Sequence, residues 1–169
     1  MKRIVILGNS GSGKTFLARE WSAAGGIPLI HLDEIFWLPG CFNERRTDDE
    51  VQEIICSKIR EDEWIAEGVF GSLAEKFLCR ATHLVWLDLP WGVCRASLLA
   101  RGSESSRQTD PDQAEKNFRI LLEWAEAYQV RSGDCSHAGH LRIFETFAGK
   151  KTRITTRADA CATRILFPD

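Results

Sequence analysis

The chain has 169 residues, 44% of them hydrophobic and 27% charged, with a net charge of -2. A length of this order supports one domain whose core needs neither disulfides nor a structural metal, so a single domain over residues 1–169 is expected. The near-neutral balance excludes a broad cationic field for nucleic acid or for an anionic membrane, and the composition excludes a disordered or collagen-like chain. The six cysteines, at 41, 56, 79, 94, 135 and 161, form no Cys-x-x-Cys pair and read as reduced intracellular thiols.

Ile4-Val5-Ile6-Leu7 is an apolar run that stops at Gly8, too short for the core of a secretory signal. No stretch reaches the roughly 18 apolar residues of a membrane span. The expected location is therefore the cytoplasm. The same run suits a central parallel strand buried on both faces. A helix is expected from about Gly13, with Phe16, Leu17 and Trp21 at helical spacing and Gly25-Gly26 as its stop.

Pro28-Leu29-Ile30-His31-Leu32 reads as a second strand, ended by Asp33-Glu34. Thr47-Asp48-Asp49-Glu50 has the form of a capping box, and Val51, Ile54, Ile55 and Ile59 make the stripe of a helix over 48–61. Residues 64–68 and 83–88 are further strands, each finishing on or near a carboxylate. A helix over 91–101 leads into the polar Gly/Ser-containing segment 102–110, the candidate lid.

Asp110-Pro111 restarts a helix whose buried face is Phe118, Leu121, Leu122, Ala125 and Tyr128. Short patterns suggest a helix over 140–147, a strand over 151–156 and a helix over 159–166. Strands alternating with helices imply a parallel sheet covered on both faces, a three-layer α/β sandwich.

Gly8-Asn9-Ser10-Gly11-Ser12-Gly13-Lys14-Thr15 matches the Walker A pattern and stands where its mechanism needs it, after a strand and opening a helix. Glycines let backbone N–H groups turn around a phosphate, and the helix N-terminus adds positive potential. Lys14 then reaches the β- and γ-phosphates of ATP or GTP, and the Thr15 hydroxyl ligates Mg²⁺.

Other residues address what becomes of the γ-phosphate. Asp33 can orient or deprotonate an acceptor hydroxyl, although aspartate also serves turns. Glu67 and Asp88 compete to hold magnesium through water; both end apolar runs, and Glu67 is preferred. Arg101 and Arg107, with Arg95 and Arg119 nearby, are candidates to neutralise the transferring phosphoryl group, each against the alternative of a solvated surface residue.

His137 and His140 beside Cys135 lack a four-ligand zinc pattern. His31 reads as a packed or hydrogen-bonded histidine. The tryptophans, among them Trp37, Trp64, Trp86 and Trp124, read mostly as core, with Trp37 the one able to stack on an acceptor.

Taken together, the Walker A segment, His31-Leu32-Asp33-Glu34-Ile35-Phe36-Trp37-Leu38-Pro39-Gly40, Glu63-Trp64-Ile65-Ala66-Glu67-Gly68 and Val85-Trp86-Leu87-Asp88-Leu89-Pro90 resemble the small P-loop kinases related to adenylate kinase. The resemblance is nearest to the DNA topology modulation (FlaR-like) family and runs over nearly the whole chain. It implies a nucleoside-monophosphate-kinase type of fold with sheet order 2-3-1-4-5, ATP with Mg²⁺, a short lid, and transfer to a nucleoside monophosphate or another small acceptor. It also strengthens Glu67 as the magnesium residue. Two departures stand out: Glu67-Gly68-Val69-Phe70 replaces the Asp-Gly-Asn-Tyr usual in that family, and the lid is sparse in arginine. The rival reading is a nucleotide-dependent regulatory or DNA-associated protein with slow hydrolysis, whose support is the basic run Lys150, Lys151, Arg153 and Arg157.

Overall fold

The computed structural model describes residues 1–39, 44–102 and 111–163. In chain order these form β1 (Arg3–Gly8), α1 (Lys14–Gly25), β2 (Leu29–His31), α2 (Leu32–Phe36), α3 (Asp48–Lys58), β3 (Trp64–Gly68) and α4 (Gly71–Leu78). There follow β4 (His83–Leu87), α5 (Trp91–Arg101), α6 (Pro111–Glu126), a 3₁₀ turn (Ala127–Gln129), α7 (His137–Thr146), β5 (Lys150–Ile154) and α8 (Arg157–Ala162). The five strands form one sheet in the order β2-β3-β1-β4-β5, every pairing parallel. This is the three-layer α/β sandwich, with the strand order of P-loop nucleotide-binding folds. No helix of the described residues is long and apolar enough to cross a membrane.

Strand side chains alternate between the two faces, and the two cores follow that parity. Val5, Leu7, Ile30, Trp64, Ala66, Leu84 and Trp86 pack with Val51 and Ile55 of α3, Leu73 and Phe77 of α4 and Ile143 of α7. The intervening residues Ile4, Ile6, Ile65, Val85, Leu87 and Ile154 pack on the opposite face with Leu17 and Trp21 of α1 and Cys94 of α5. Parity thus decides which helix each residue at a strand's C-terminal end will meet.

The capping box at α3 forms as its spacing predicts. Thr47 Oγ1 accepts from the Glu50 N–H at 3.3 Å and the Thr47 N–H donates to Glu50 Oε2 at 2.8 Å.

Several elements differ from expectation. The second strand ends at His31, and Asp33 lies in the first turn of α2 instead of at a strand end. Leu32 and Ile35, three apart, are both buried there, and Asp33 and Glu34 suit the positive end of a helix. Helix α3 stops at Lys58, short of residue 61. Helix α7 starts at His137 because Ser136 caps it, accepting from the Gly139 N–H at 3.0 Å.

The last strand covers 150–154 and the last helix begins at Arg157; the expected continuation to 166 lies partly outside the described residues. Phe118, Leu121 and Leu122 are half-buried, while Ala114, Ala125 and Tyr128 are buried, the last in the 3₁₀ turn. Trp64 and Trp86 are core. Trp124 is half-buried, with the Arg131 guanidinium 3.4 Å from its ring centroid.

A buried polar chain ties α7 to the sheet. Trp86 Nε1 donates to the Tyr128 hydroxyl at 3.2 Å, Tyr128 donates to His140 Nδ1 at 2.7 Å, and His140 Nε2 donates to the Val69 carbonyl at 2.9 Å. This neutral tautomer satisfies both ring nitrogens. Burial, the largest influence, lowers the His140 pKa from 6.5 to about 4. An unfolded chain therefore takes up this proton first, so stability is intact above pH 6.5 and falls as pH drops toward 4. The wild-type protein should lose about 3 kcal/mol of stability over that window through this one group. Urea titrations at pH 7 and pH 4 should show a smaller difference in His140→Gln, which has nothing to protonate; an equal difference would clear His140 of the effect.

Candidate nucleotide-binding site

Residues 9–13 connect the central strand to α1 in a tight loop, closed by a Ser12 N–H to Asn9 carbonyl bond of 3.2 Å. Gly13 caps α1 with φ 92°, a left-handed conformation that glycine adopts without strain. Gly11 has φ 78°, and a Cβ there would overlap the Cys94 carbonyl of α5. Asn9 is 3% exposed. Its Oδ1 accepts from the Ser10 N–H at 2.8 Å and its Nδ2 donates to the Ala125 carbonyl of α6, also at 2.8 Å.

Two features of this loop fit a phosphate. The Ser12 Oγ is buried without a hydrogen-bond partner, and a Cβ on Gly13 would meet nothing within 4 Å. An unpartnered hydroxyl beside an open helix N-terminus is what an anion with several acceptor oxygens satisfies.

Charged groups converge at the C-terminal ends of β2 and β3. Glu67, 2% exposed, shares the Ile65 face, so parity turns it toward α1. There Thr15 Oγ1 donates to Glu67 Oε1 at 3.0 Å. His31, directly opposite Glu67 in register, donates from Nδ1 to the same oxygen at 2.6 Å. Lys14, 8% exposed, donates from Nζ to the Asn9 carbonyl at 2.9 Å.

The protonation tendencies follow from this packing. Burial opposes charge on Glu67 most strongly, yet the His31 hydrogen bond, the Lys14 and His31 charges and the Thr15 hydroxyl together hold its pKa below the usual glutamate value. The bond to Glu67 raises His31. Burial lowers Lys14, opposed by the charges of Glu67 and Asp33, with a small further push from Arg101. Burial likewise raises Asp33, opposed by Lys14.

Lys14, Thr15, Asp33 and Glu67 are therefore brought together as their sequence positions suggest, and Arg101, exposed at the end of α5, lies within electrostatic reach of Lys14. Arg95 and Arg119 are exposed. Arg107 and positions 103–110 of the candidate lid lie outside the described residues.

Asp88 is engaged elsewhere. It falls on the Trp86 face, away from α1, where its Oδ2 accepts from Arg153 Nη2 at 2.6 Å and its Oδ1 lies 3.2 Å from His137 Nε2. Arg153 also lies over the Trp86 ring, 4.6 Å from its centroid.

His31 is hydrogen-bonded, as one of its two sequence readings has it, and its partner is the central carboxylate; the signal for that partner was parity, since His31 aligns with Glu67 when the ends of the two strands are matched. Sequence reading missed one member of the site. The Asn9 bond to Ala125 spans 116 residues, and no local pattern marks it. Trp37 is half-buried at the rim, edge-on to Phe36 with centroids 4.6 Å apart.

No family model and no curated protein matches the chain. Among solved structures it is similar to YorR protein from Bacillus subtilis, solved in complex with phosphorylated GDP, at 17% identity and a TM-score of 0.51, covering 97% of this chain and 94% of that one. It is also similar to a gluconokinase from Sinorhizobium meliloti 1021, at 15% identity, 96% and 89% coverage and a TM-score of 0.49. A shikimate kinase from Aquifex aeolicus vf5 matches at 20% identity, 73% and 82% coverage and a TM-score of 0.43. The likeness to YorR shows a shared fold over nearly the full length of both chains.

The separation of the two strand-end carboxylates is testable. Asp88→Asn should weaken the contacts to Arg153 and His137 and cost about 1–2 kcal/mol of stability, while affinity for ATP and for Mn²⁺ stays at the wild-type level in calorimetry. Loss of metal-dependent nucleotide binding in that variant would return Asp88 to the site.

Proposed function

We propose that the chain is a magnesium-dependent phosphotransferase that moves the γ-phosphoryl group of ATP to a nucleotide or another small acceptor. The observation that carries this reading is the convergence of four groups: Lys14 at the end of the phosphate loop, the Thr15–Glu67 hydrogen bond beside it, and Asp33 in the first turn of α2, coupled electrostatically to Lys14. A protein that only binds nucleotide has no need of the last. The fold shared with YorR, a protein solved with phosphorylated GDP, agrees with a nucleotide ligand.

In this reading the loop amides, the Ser12 hydroxyl and Lys14 bind the β- and γ-phosphates. The residues that would hold Mg²⁺ are Thr15, directly, and Glu67, through water. Among the described residues no group of three or more His, Cys, Asp or Glu forms a metal cage. Magnesium suits such a site because it keeps several waters and takes phosphate oxygens with one or two protein groups. Bound there, the ion would neutralise charge on the phosphates.

Asp33 orients the acceptor, and where the acceptor is a hydroxyl its carboxylate takes the proton. The acceptor oxygen then bonds to the γ-phosphorus as the bond to the β,γ-bridging oxygen breaks, and ADP leaves. Burial holds Asp33 above the usual aspartate range, toward the pKa of a working base. Arg101 neutralises the transferring group, a role for which the sequence also offers Arg107, outside the described residues. The His31-Leu32-Asp33 and Trp37-Leu38-Pro39-Gly40 elements support the narrower placement beside the DNA topology modulation family. The rival regulatory reading loses its sequence support, because three of the four basic residues are used within the chain. Lys151 Nζ donates to the carbonyls of Phe144, Glu145 and Phe147, Arg153 pairs with Asp88, and Arg157 contacts Ser97 and the Val93 carbonyl.

Two variants test the assignment against a panel of nucleoside monophosphates and small hydroxyl compounds. Lys14→Ala should lose ATP binding in calorimetry and all transfer, while remaining folded; wild-type affinity and activity would end the reading. Asp33→Asn should lower kcat by about 10²-fold or more with ATP affinity unchanged. Undiminished turnover with the best acceptor would remove Asp33 from the site.

A further inference from the structure

We propose that His31 is a positioning residue for the metal: it fixes the Glu67 carboxylate in the orientation in which Glu67 and Thr15 support a magnesium nucleotide. This rests on the reading of Glu67 given above and goes one step beyond it.

The local structure gives His31 no other task. It occupies the N-cap of α2, where Ser, Thr, Asp or Asn usually serves, yet its side chain makes no capping bond. Instead it crosses to the neighbouring strand, where its register partner is Glu67. The imidazole is 21% exposed and the carboxylate 3%, so the ring stands on the more solvent-accessible side of the pair. His140 provides the contrast, fully buried with both nitrogens used to join core elements.

Geometry shows what the bond accomplishes. Thr15 at 3.0 Å and His31 at 2.6 Å donate to one oxygen, Oε1. Rotating the carboxylate breaks at least one of these bonds, while Oε2 has no side-chain hydrogen bond among the described residues. The competitor is Lys14, whose charge and that of Glu67 attract each other across the site. Among the described residues the two form no ion pair, and Lys14 donates to Asn9. Without the imidazole, Thr15 alone restrains the carboxylate against a swing toward the ammonium. That swing would take Glu67 from the metal and Lys14 from the phosphates. Hydrogen bonds to a ligating carboxylate act in this way on metal affinity.

The experiment uses the full chain, a non-hydrolysable β,γ-imido analogue of ATP, and Mn²⁺ as probe, with metal binding read by electron paramagnetic resonance. Glu67→Gln is the control for the underlying reading. His31→Leu and His31→Phe remove the donor while keeping bulk, and His31→Asn returns an amide N–H near the position of Nδ1. The Leu or Phe variant that melts near wild type should bind Mn²⁺ with the analogue at least about 10-fold more weakly, with His31→Asn recovering most of the loss. Analogue affinity in EDTA should stay within about 2-fold, because the phosphate loop is untouched. Wild-type Mn²⁺ affinity in the apolar variant, no recovery in His31→Asn, or unfolding of both apolar variants would overturn the proposal and leave His31 a structural residue. Equal Mn²⁺ affinity in wild type and Glu67→Gln would instead overturn the reading of Glu67, and the role of His31 with it.

Discussion

A carboxylate cut off from water must be surrounded by donors or cations, and the site is organised around meeting that demand at Glu67. Burial alone would push the group toward its neutral form. Two elements supply the compensation: the start of α1, with the charge of Lys14 and the hydroxyl of Thr15, and the end of β2, with His31. Each contributor has to arrive at the C-terminal edge of the sheet, which is where parallel α/β sheets gather functional groups. The arrangement also constrains Lys14, because the same negative charges that favour its ammonium form offset the cost of its burial. Lysine and glutamate are thus mutually dependent without being in contact.

The phosphate loop is held from two further sides. Gly11 lies against the backbone of α5 so closely that no side chain fits between them, and Asn9 is bonded to the last turn of α6. These two helices precede and follow segment 103–110. Any displacement of α5 relative to α6 therefore acts on the loop from both ends, through a backbone contact on one side and a buried hydrogen bond on the other. The polar chain from Trp86 through Tyr128 and His140 continues from the end of α6 to Val69, two residues beyond Glu67. The phosphate loop and the carboxylate strand thus rest on a common internal frame.

Strands β1 to β4 were legible in the sequence because they are short apolar runs with clear stops, and the phosphate loop because its glycine and Lys-Thr spacing has a single mechanical meaning; β5, a mostly polar edge strand, left only a short pattern. Which of Glu67 and Asp88 lies beside the helix that carries Thr15 was legible in principle. Each strand alternates between the two cores; Glu67 falls on the face of Ile65 and α1, and Asp88 on that of Trp86 and α7. In the proposed reading, the face covered by the helix that carries Thr15 is the one that would serve magnesium at the phosphate loop. What the sequence concealed was long-range pairing. Asn9 with Ala125 and His140 with Val69 join residues whose local patterns carry no sign of one another. The short helix α2 was hidden for a different reason, since a five-residue helix directly after a strand presents less than two turns of periodicity.

The α2 side of the site follows from the same packing. Directly after the third strand the chain has Val69 and Phe70. Val69 is 6% exposed and its carbonyl is taken by His140. Phe70 stacks on Phe36 with centroids 4.3 Å apart and planes inclined by 19°, and Trp37 stands edge-on to the pair. Phe70 thereby holds α2 against the start of α4, and neither residue offers a polar side chain. This makes the third strand's end a support for α2 and not a source of polar contacts. In the proposed reaction the polar contacts to an acceptor fall to the α2 side, where Asp33 lies one residue after buried Leu32 and four before Trp37. The aromatic packing that leaves this wall apolar is also what holds the helix bearing Asp33, so one set of side chains both fixes that carboxylate and keeps polar groups from positions 69 and 70.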